Sequence, residues 1–239
     1  MIEVMEMPPG INLKRETRQT FGCKQWVHQW YEKDGVIGFA KFRSFIHRTR
    51  EETATSQYLA DELKKYFGLQ ELGAFPIRDP KEGMGIMLQW HDDCRTLDQL
   101  GFPESESWWE GYGWLEVLKI LFFDGILGNR DRSEKNILVL KDQTILPIDE
   151  ETIFYNSLQI PWLCLKKEWR KRVKEQHYKR PERFWDYVHR VSKSQTDMVN
   201  LAADVIGDRK HKFFLQFQCH ARGLECMADL TLRQLSVEA

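Results

Sequence analysis

Residues 128–149 read GNRDRSEKNILVLKDQTILPID. Asp131, Asn136 and Asp149 follow one another here, first along a polar loop and then at the end of a short apolar hairpin. Ile137–Leu140 and Thr144–Ile148 predict two strands joined by Lys141, Asp142 and Gln143. The run Leu115–Leu127 before them predicts a buried helix. The chain therefore leaves a helix, crosses a polar loop and enters a hairpin whose second strand delivers Asp149. A site that transfers a phosphoryl group needs this donor set. One carboxylate must sit by the attacking group, and an amide and a second carboxylate must hold the metal ions on the nucleotide phosphates. Asp and Asn are also ordinary turn residues, but the order of elements around these three argues against a bland turn.

The rest of the chain bounds what this loop belongs to. Its 239 residues are 42% hydrophobic and 30% charged, the composition of a globular rather than a disordered chain, with room for two small lobes around a cleft. A net charge of −1 gives no global pull toward nucleic acid or membrane. No apolar run reaches the roughly 18 residues of a membrane span, and the N-terminal MIEVMEMPPG lacks the apolar core of a signal peptide. Five scattered cysteines, none in a CxxC pair, suit reduced thiols and a cytoplasmic setting. Cys219, His220 and Cys226 have no second ligand pair at structural-zinc spacing, so the cysteines read as small buried hydrophobes on a helix.

Upstream of the loop, Lys24–Glu32 and Val36–Phe42 predict a strand pair turned by Lys33-Asp34-Gly35. Lys41 lies near the end of the second strand, and Gly22 precedes the pair. Thr49–Phe67 predicts a helix stopped by Gly68. Ala74–Arg78 and Gly85–Trp90 predict further short strands. From Trp108 the pattern is helical to Leu127, and the last third, from Ser157, is mostly helical. The expectation is an α+β fold: a small N-lobe over residues 1–91 built from an antiparallel sheet and a helix, and a helical C-lobe over 92–239 that carries the loop and hairpin.

FDGILGNRDRSEKN (residues 123–136) followed by IDEE (residues 148–151) resembles the core of atypical kinases of the phosphatidylinositol 3/4-kinase and HipA-like group. Those kinases carry N-x-D-R-x-x-x-N, a hairpin and an I-D metal motif. Asn129, Asp131, Arg132 and Asn136 match the loop, and Asp149 matches the metal aspartate. The resemblance is specific over 122–151 and looser over the rest of 17–156. It implies a bilobal protein-kinase-like fold, ATP and Mg2+ as cofactors, and Asp131 as the catalytic carboxylate. It also implies Asn136 and Asp149 as metal ligands, Lys41 on the phosphates, backbone amides around Gly22 over them, and Leu88, Gln89 and Trp90 beside the adenine. Gln57 falls where the family has the acidic partner of the lysine.

The chemistry of each residue type agrees. Asp131 can accept a hydrogen bond from a hydroxyl and stays anionic near neutral pH. Asn136 offers a neutral oxygen and Asp149 a charged one, which suits a hard cation. Lys41 supplies a point charge. The sequence supports transfer of the γ-phosphate to a protein Ser/Thr substrate as the first reading. A kinase for an inositol phosphate or lipid headgroup stays open, and so does transfer of AMP. The single glycine of the lid and the amide at Gln57 keep a nucleotide-binding pseudokinase open as well. The run Lys166–Arg183 holds nine basic and three acidic residues. It reads either as a solvated helix face covering Trp169 or as a docking patch for an anionic ligand. Trp108 and Trp109 read as packing residues.

Overall fold

Short runs rich in apolar residues build one sheet in the first 90 residues, interrupted by one helix, and helical spacing takes over after it. The computed structural model describes residues 5–6, 14–21, 24–33, 36–42, 49–80, 83–89, 94–101, 106–129, 132–148, 153, 165–208 and 212–236. Strands β1 (Met5–Glu6), β2 (Lys14–Phe21), β3 (Lys24–Lys33), β4 (Val36–Phe42), β5 (Phe75–Asp79) and β6 (Gly83–Gln89) form a six-stranded sheet in the order β1-β5-β6-β4-β3-β2. Neighbours are antiparallel except β1 and β5, which run parallel. The sheet is thus mixed at that edge, where the sequence predicted an antiparallel one. Two residues are too few to reveal a period of two. The β6–β4 approach is close: a Cβ at Gly85 would stand 2.7 Å from the Lys41 carbonyl and 2.6 Å from the Phe42 ring.

Helix α1 (Arg50–Lys64) joins β4 to β5. Thr49 and Glu52 close a reciprocal capping box on its first turn, worth about 1 kcal/mol for the Thr cap alone. A 3-10 turn, Lys65–Phe67, and Gly68 at a left-handed φ of 58° end it. Beyond the sheet come β7 (Arg95–Thr96), α2 (Leu97–Leu100), α3 (Glu106–Trp108), a π-helical turn over Trp109–Gly113 and α4 (Trp114–Leu127). Eleven residues of α4 are buried, so it is the central helix of the main core. A 3-10 turn, Glu134–Asn136, leads into the hairpin β8 (Ile137–Val139) and β9 (Ile145–Pro147), and β7 pairs with β8.

Five helices complete the chain: α5 (Lys167–Lys179), α6 (Pro181–Ser192), α7 (Gln195–Ile206), α8 (Lys212–Arg222) and α9 (Leu224–Gln234). α5, α6, α8 and α9 pack on α4, with Trp169, Val173, Phe184, Val188, Phe217 and Ala228 in the shared core, and α7 packs on α8 and α1. Trp109, Trp108 and Trp169 form an edge-to-face cluster, so the paired tryptophans do pack rather than project. Cys219 and Cys226, expected as buried hydrophobes, are exposed on α8 and α9. Among the described residues, no helix is long and apolar enough to cross a membrane.

Candidate active site

The loop after α4 is organised by a carboxylate that the apolar helix carries in its last turn. Asp124 is 1% exposed. Its Oδ1 accepts from Asn129 Nδ2 at 2.8 Å and from an Arg132 guanidinium nitrogen at 3.0 Å, and its Oδ2 accepts from Arg132 Nε at 2.8 Å. The backbone turns at Gly128, in the left-handed region at φ 65°, so that the Asn129 N–H reaches the Asp124 carbonyl at 2.9 Å. Such a forked pair fixes orientation as well as distance. Both charges are buried, and removing one member would strand the other.

Arg132 uses its remaining donors on the hairpin. One guanidinium nitrogen donates to the Asn136 carbonyl and to the Ile148 carbonyl, each at 2.5 Å. The Ile148 N–H donates in turn to the Asn136 carbonyl at 3.1 Å. Residue 136 and the residue that precedes Asp149 are therefore held side by side. Asp131 and Asp149 themselves lie outside the described residues, as do Gly22 and Trp90.

The roof is built from β4, β6 and α1. Lys41 is half-buried between Ala40 and Phe42, both fully buried. It pairs with Ile86 across the ladder, so the two side chains share a face, as does Leu88 two residues on. Ile86 and Leu88 pack with Ala54 of α1 and Leu146 of β9, and Leu138 and Ile148 border the same cluster. On α1, residues 54, 57, 61 and 64 follow at helical spacing and share one face. Gln57 is fully buried on that face, which looks onto the side of the sheet that carries Lys41. Lys41, Gln57 and Leu88 thus converge on one apolar cluster above the hairpin. Gln89 is exposed at its margin, against Gly73.

A buried hydrogen bond joins this roof to the hairpin. Lys64, fully buried in the last turn of α1, donates to the Pro147 carbonyl at 2.9 Å and to Asp61 Oδ1 at 3.2 Å. Asp61 also accepts the Leu72 N–H at 2.6 Å and the Ala74 N–H at 2.8 Å. Further out, Glu134 accepts the Lys166 N–H, and Lys166 Nζ meets Asp98 at 2.8 Å. That lysine bond holds the Asp98 carboxyl below its usual range. In the hairpin turn the Thr144 N–H donates to Asp142 at 2.9 Å and lowers the Asp142 carboxyl likewise.

The sequence reading did not single out Asp124, Asp61 or Lys64. Asp124 had a signal, because a carboxylate inside the run LFFDGIL must be paired if that run is buried. Lys64 had none, since a lysine in the last turn of a helix ordinarily serves the helix dipole from the surface. The basic run spans α5 and the first turn of α6. Lys167, Lys171, Tyr178 and Lys179 are exposed along it, Trp169 and Val173 are buried beneath it, and Arg172 lies 5.9 Å from the Trp109 ring centroid. A cavity of about 560 Å³ opens elsewhere, lined by Leu69, Trp108, Gly113, Glu116 and Gln143 among others, with none of the site residues in its wall.

By residue type Asn136 and Asp149 fit a metal ion; Asn136 lies among the described residues and Asp149 outside them. The Arg132 bridge aligns the two backbone segments, and an amide oxygen with a carboxylate is an oxygen donor set for a hard divalent cation. A sheet with one helix, joined to a helical block through a polar loop and hairpin, is the bilobal protein-kinase-like fold. Among solved structures, the crystal structure of a Helicobacter pylori proinflammatory kinase, CtkA, matches with a TM-score of 0.57 and 10% sequence identity. The match covers 99% of this chain and 100% of that one. At that identity the likeness shows the fold. No protein-family model and no curated protein sequence matches the chain.

Proposed function

We propose that the chain is an ATP- and Mg2+-dependent phosphotransferase of the phosphatidylinositol 3/4-kinase and HipA-like type that moves the γ-phosphate to a hydroxyl, with a protein Ser/Thr as acceptor. The observation that carries the reading is the Arg132 bridge, which sets Asn136 beside the strand end leading to Asp149. In this reading Asn136 and Asp149 hold Mg2+, which neutralises phosphate charge when bound. Asp131 accepts the hydrogen bond of the attacking hydroxyl. Lys41, on the roof face above, steadies the phosphates, with amides near Gly22 over them. Backbone groups at Leu88–Trp90 meet the adenine. Positioning and charge neutralisation supply most of the catalysis in such a site.

The test is Mg2+-dependent phosphoryl transfer from ATP, read as the mass added to the chain itself and to candidate protein acceptors, for wild type and Asp131→Ala. The reading expects one phosphoryl group per modified site, and a loss of about a hundredfold or more in the variant, the usual contribution of a positioned acid–base group. Addition of AMP instead would identify nucleotidyl transfer. A second reading has its own support: Gln57, buried on the α1 face opposite the Lys41 strand, is an amide and not a carboxylate. It makes the chain a pseudokinase that binds nucleotide and acts through a partner. Mg2+-dependent ATP binding with no turnover that depends on Asp131 would establish that reading and overturn the first. The exposed lysines of α5 suit an anionic ligand, and inositol phosphates belong among the acceptors assayed.

A further inference from the structure

We propose that Lys64 is a positioning residue that ties helix α1 to the strand end leading to Asp149, so that the seating of α1 sets the geometry of the metal site. The proposal rests on the phosphotransferase reading for what the site does, and on geometry alone for the tie. The two carbonyls that immediately precede Asp149 accept from two buried cations on different elements. Pro147 O accepts from Lys64 of α1, and Ile148 O accepts from Arg132 of the loop. Each cation is paired with a buried carboxylate, Asp61 for Lys64 and Asp124 for Arg132.

Apolar packing at Leu146 and Ile148 seats this strand end, and hydrogen bonds fix its direction. β9 is three residues long, and Pro147, opposite Ile137, sits between the hydrogen-bonded pairs of the β8 ladder with its carbonyl turned away from β8. The Ile148 N–H to Asn136 bond is the ladder contact that closes it toward β8. On its other side the Pro147 carbonyl is buried, and an acceptor there must be met or it costs stability. Lys64 meets it from 83 residues away in sequence. Asp61 prevents the lysine from swinging off, because its two oxygens also take the Leu72 and Ala74 amides. That fixes the chain leaving α1 in the same network. A displacement of α1 by an ångström would lengthen the 2.9 Å bond past hydrogen-bond range. Of these hydrogen bonds, the strand end would then keep only those of Ile148 with Arg132 and Asn136.

The experiment compares wild type, Lys64→Met and the double variant Asp61→Asn/Lys64→Met. The double variant removes both charges and so leaves no buried carboxylate without its cation. Two readouts are taken: amide hydrogen exchange over residues 145–152 in the ligand-free protein, and Mn2+ affinity in the presence of a non-hydrolysable ATP analogue. Both variants should exchange faster than wild type over 145–152 and bind Mn2+ about tenfold more weakly or worse, the size expected for one lost charge-assisted hydrogen bond. Their affinity for the analogue without metal should not change. A role in stability alone predicts the opposite for the double variant, with thermal stability and Mn2+ affinity recovering together. That recovery, or exchange over 145–152 at the wild-type rate, overturns the proposal. Should Lys64→Met not fold, the double variant carries both readouts. If wild type binds no Mn2+ with the analogue, the phosphotransferase reading falls, and the exchange rates still decide the tie.

Discussion

Buried polar groups are treated in two ways in this molecule. Around the loop and hairpin, Asp61, Lys64, Asp124 and Arg132 are all at least 96% buried, and each meets charged or backbone partners. In the helical block, Trp114, Tyr187 and His177 are nearly as deep. Yet Trp114 Nε1, Tyr187 Oη and His177 Nδ1 meet no hydrogen-bond partner among the described residues. There the contacts are ring against ring: Phe122 on Phe184 and Tyr187, and His177 on Phe184. At these three side chains the helical block is specified by volume, and the polar atom is carried along. The loop and hairpin are specified by direction, through donors and acceptors that tolerate little displacement. The proposed function, which needs three oxygen-bearing side chains at fixed places, calls for the second kind of order.

The difference can be broken most severely at Asp124. Asp124→Ala leaves the Arg132 charge buried without its counter-ion, and should cost about 3–5 kcal/mol in a denaturant titration. A loss below about 1 kcal/mol would mean the frame is not what holds the loop. Next in size, Gly85→Ala drives a methyl group into the Lys41 carbonyl and the Phe42 ring, so β6 must move off β4. The expected loss is about 1–3 kcal/mol, with a weakened affinity for ATP measured by calorimetry.

In the helical block the expected effects are smaller. Burial pushes the His177 imidazole below its ordinary 6.5, partly offset by Glu182. The folded state therefore holds fewer protons than the unfolded chain as pH falls through that value. Its share of stability is complete above about 6.5 and is lost progressively below it. Melting temperatures at pH 7.5 and 5.5 should draw closer together in His177→Phe than in wild type, and an unchanged gap would contradict this. Smallest of all, Tyr187→Phe removes a hydroxyl that meets no partner among the described residues and should leave the melting temperature unchanged or slightly higher. A marked drop would show that this hydroxyl belongs to a polar frame after all.

The fold was legible wherever its physics is local. The α1 boundaries were written in Thr49 and Gly68, the β3–β4 pair in alternation, and the hairpin in two apolar runs around Lys141–Gln143. Two-residue strands such as β1 and β7 carry too little pattern to be seen. The π-helical turn at Trp109–Gly113 has the apolar spacing of a helix, and spacing does not separate one helical hydrogen-bond register from another. For the candidate site, Asn136 and Lys41 were singled out in the sequence because their residue types and order bear directly on the proposed chemistry. The residues that hold them were hard to read. Lys64 and Pro147 are joined only by tertiary structure, and a lysine ending a helix looks the same whether it faces water or a buried carbonyl. The exposure of Cys219 and Cys226 went unread for a related reason. Each helix shows one apolar stripe, and the position of that stripe against α4 decides which small residues fall outside it.

The most direct test of the central claim is a crystal structure with a non-hydrolysable ATP analogue and Mn2+, the metal located by its anomalous signal. The account predicts the ion bound by the Asn136 side-chain oxygen and the Asp149 carboxylate, with the phosphates beneath Lys41 and the adenine beside Leu88–Trp90. A metal bound elsewhere, or a nucleotide outside the space between the Lys41 strand and the hairpin, would contradict it.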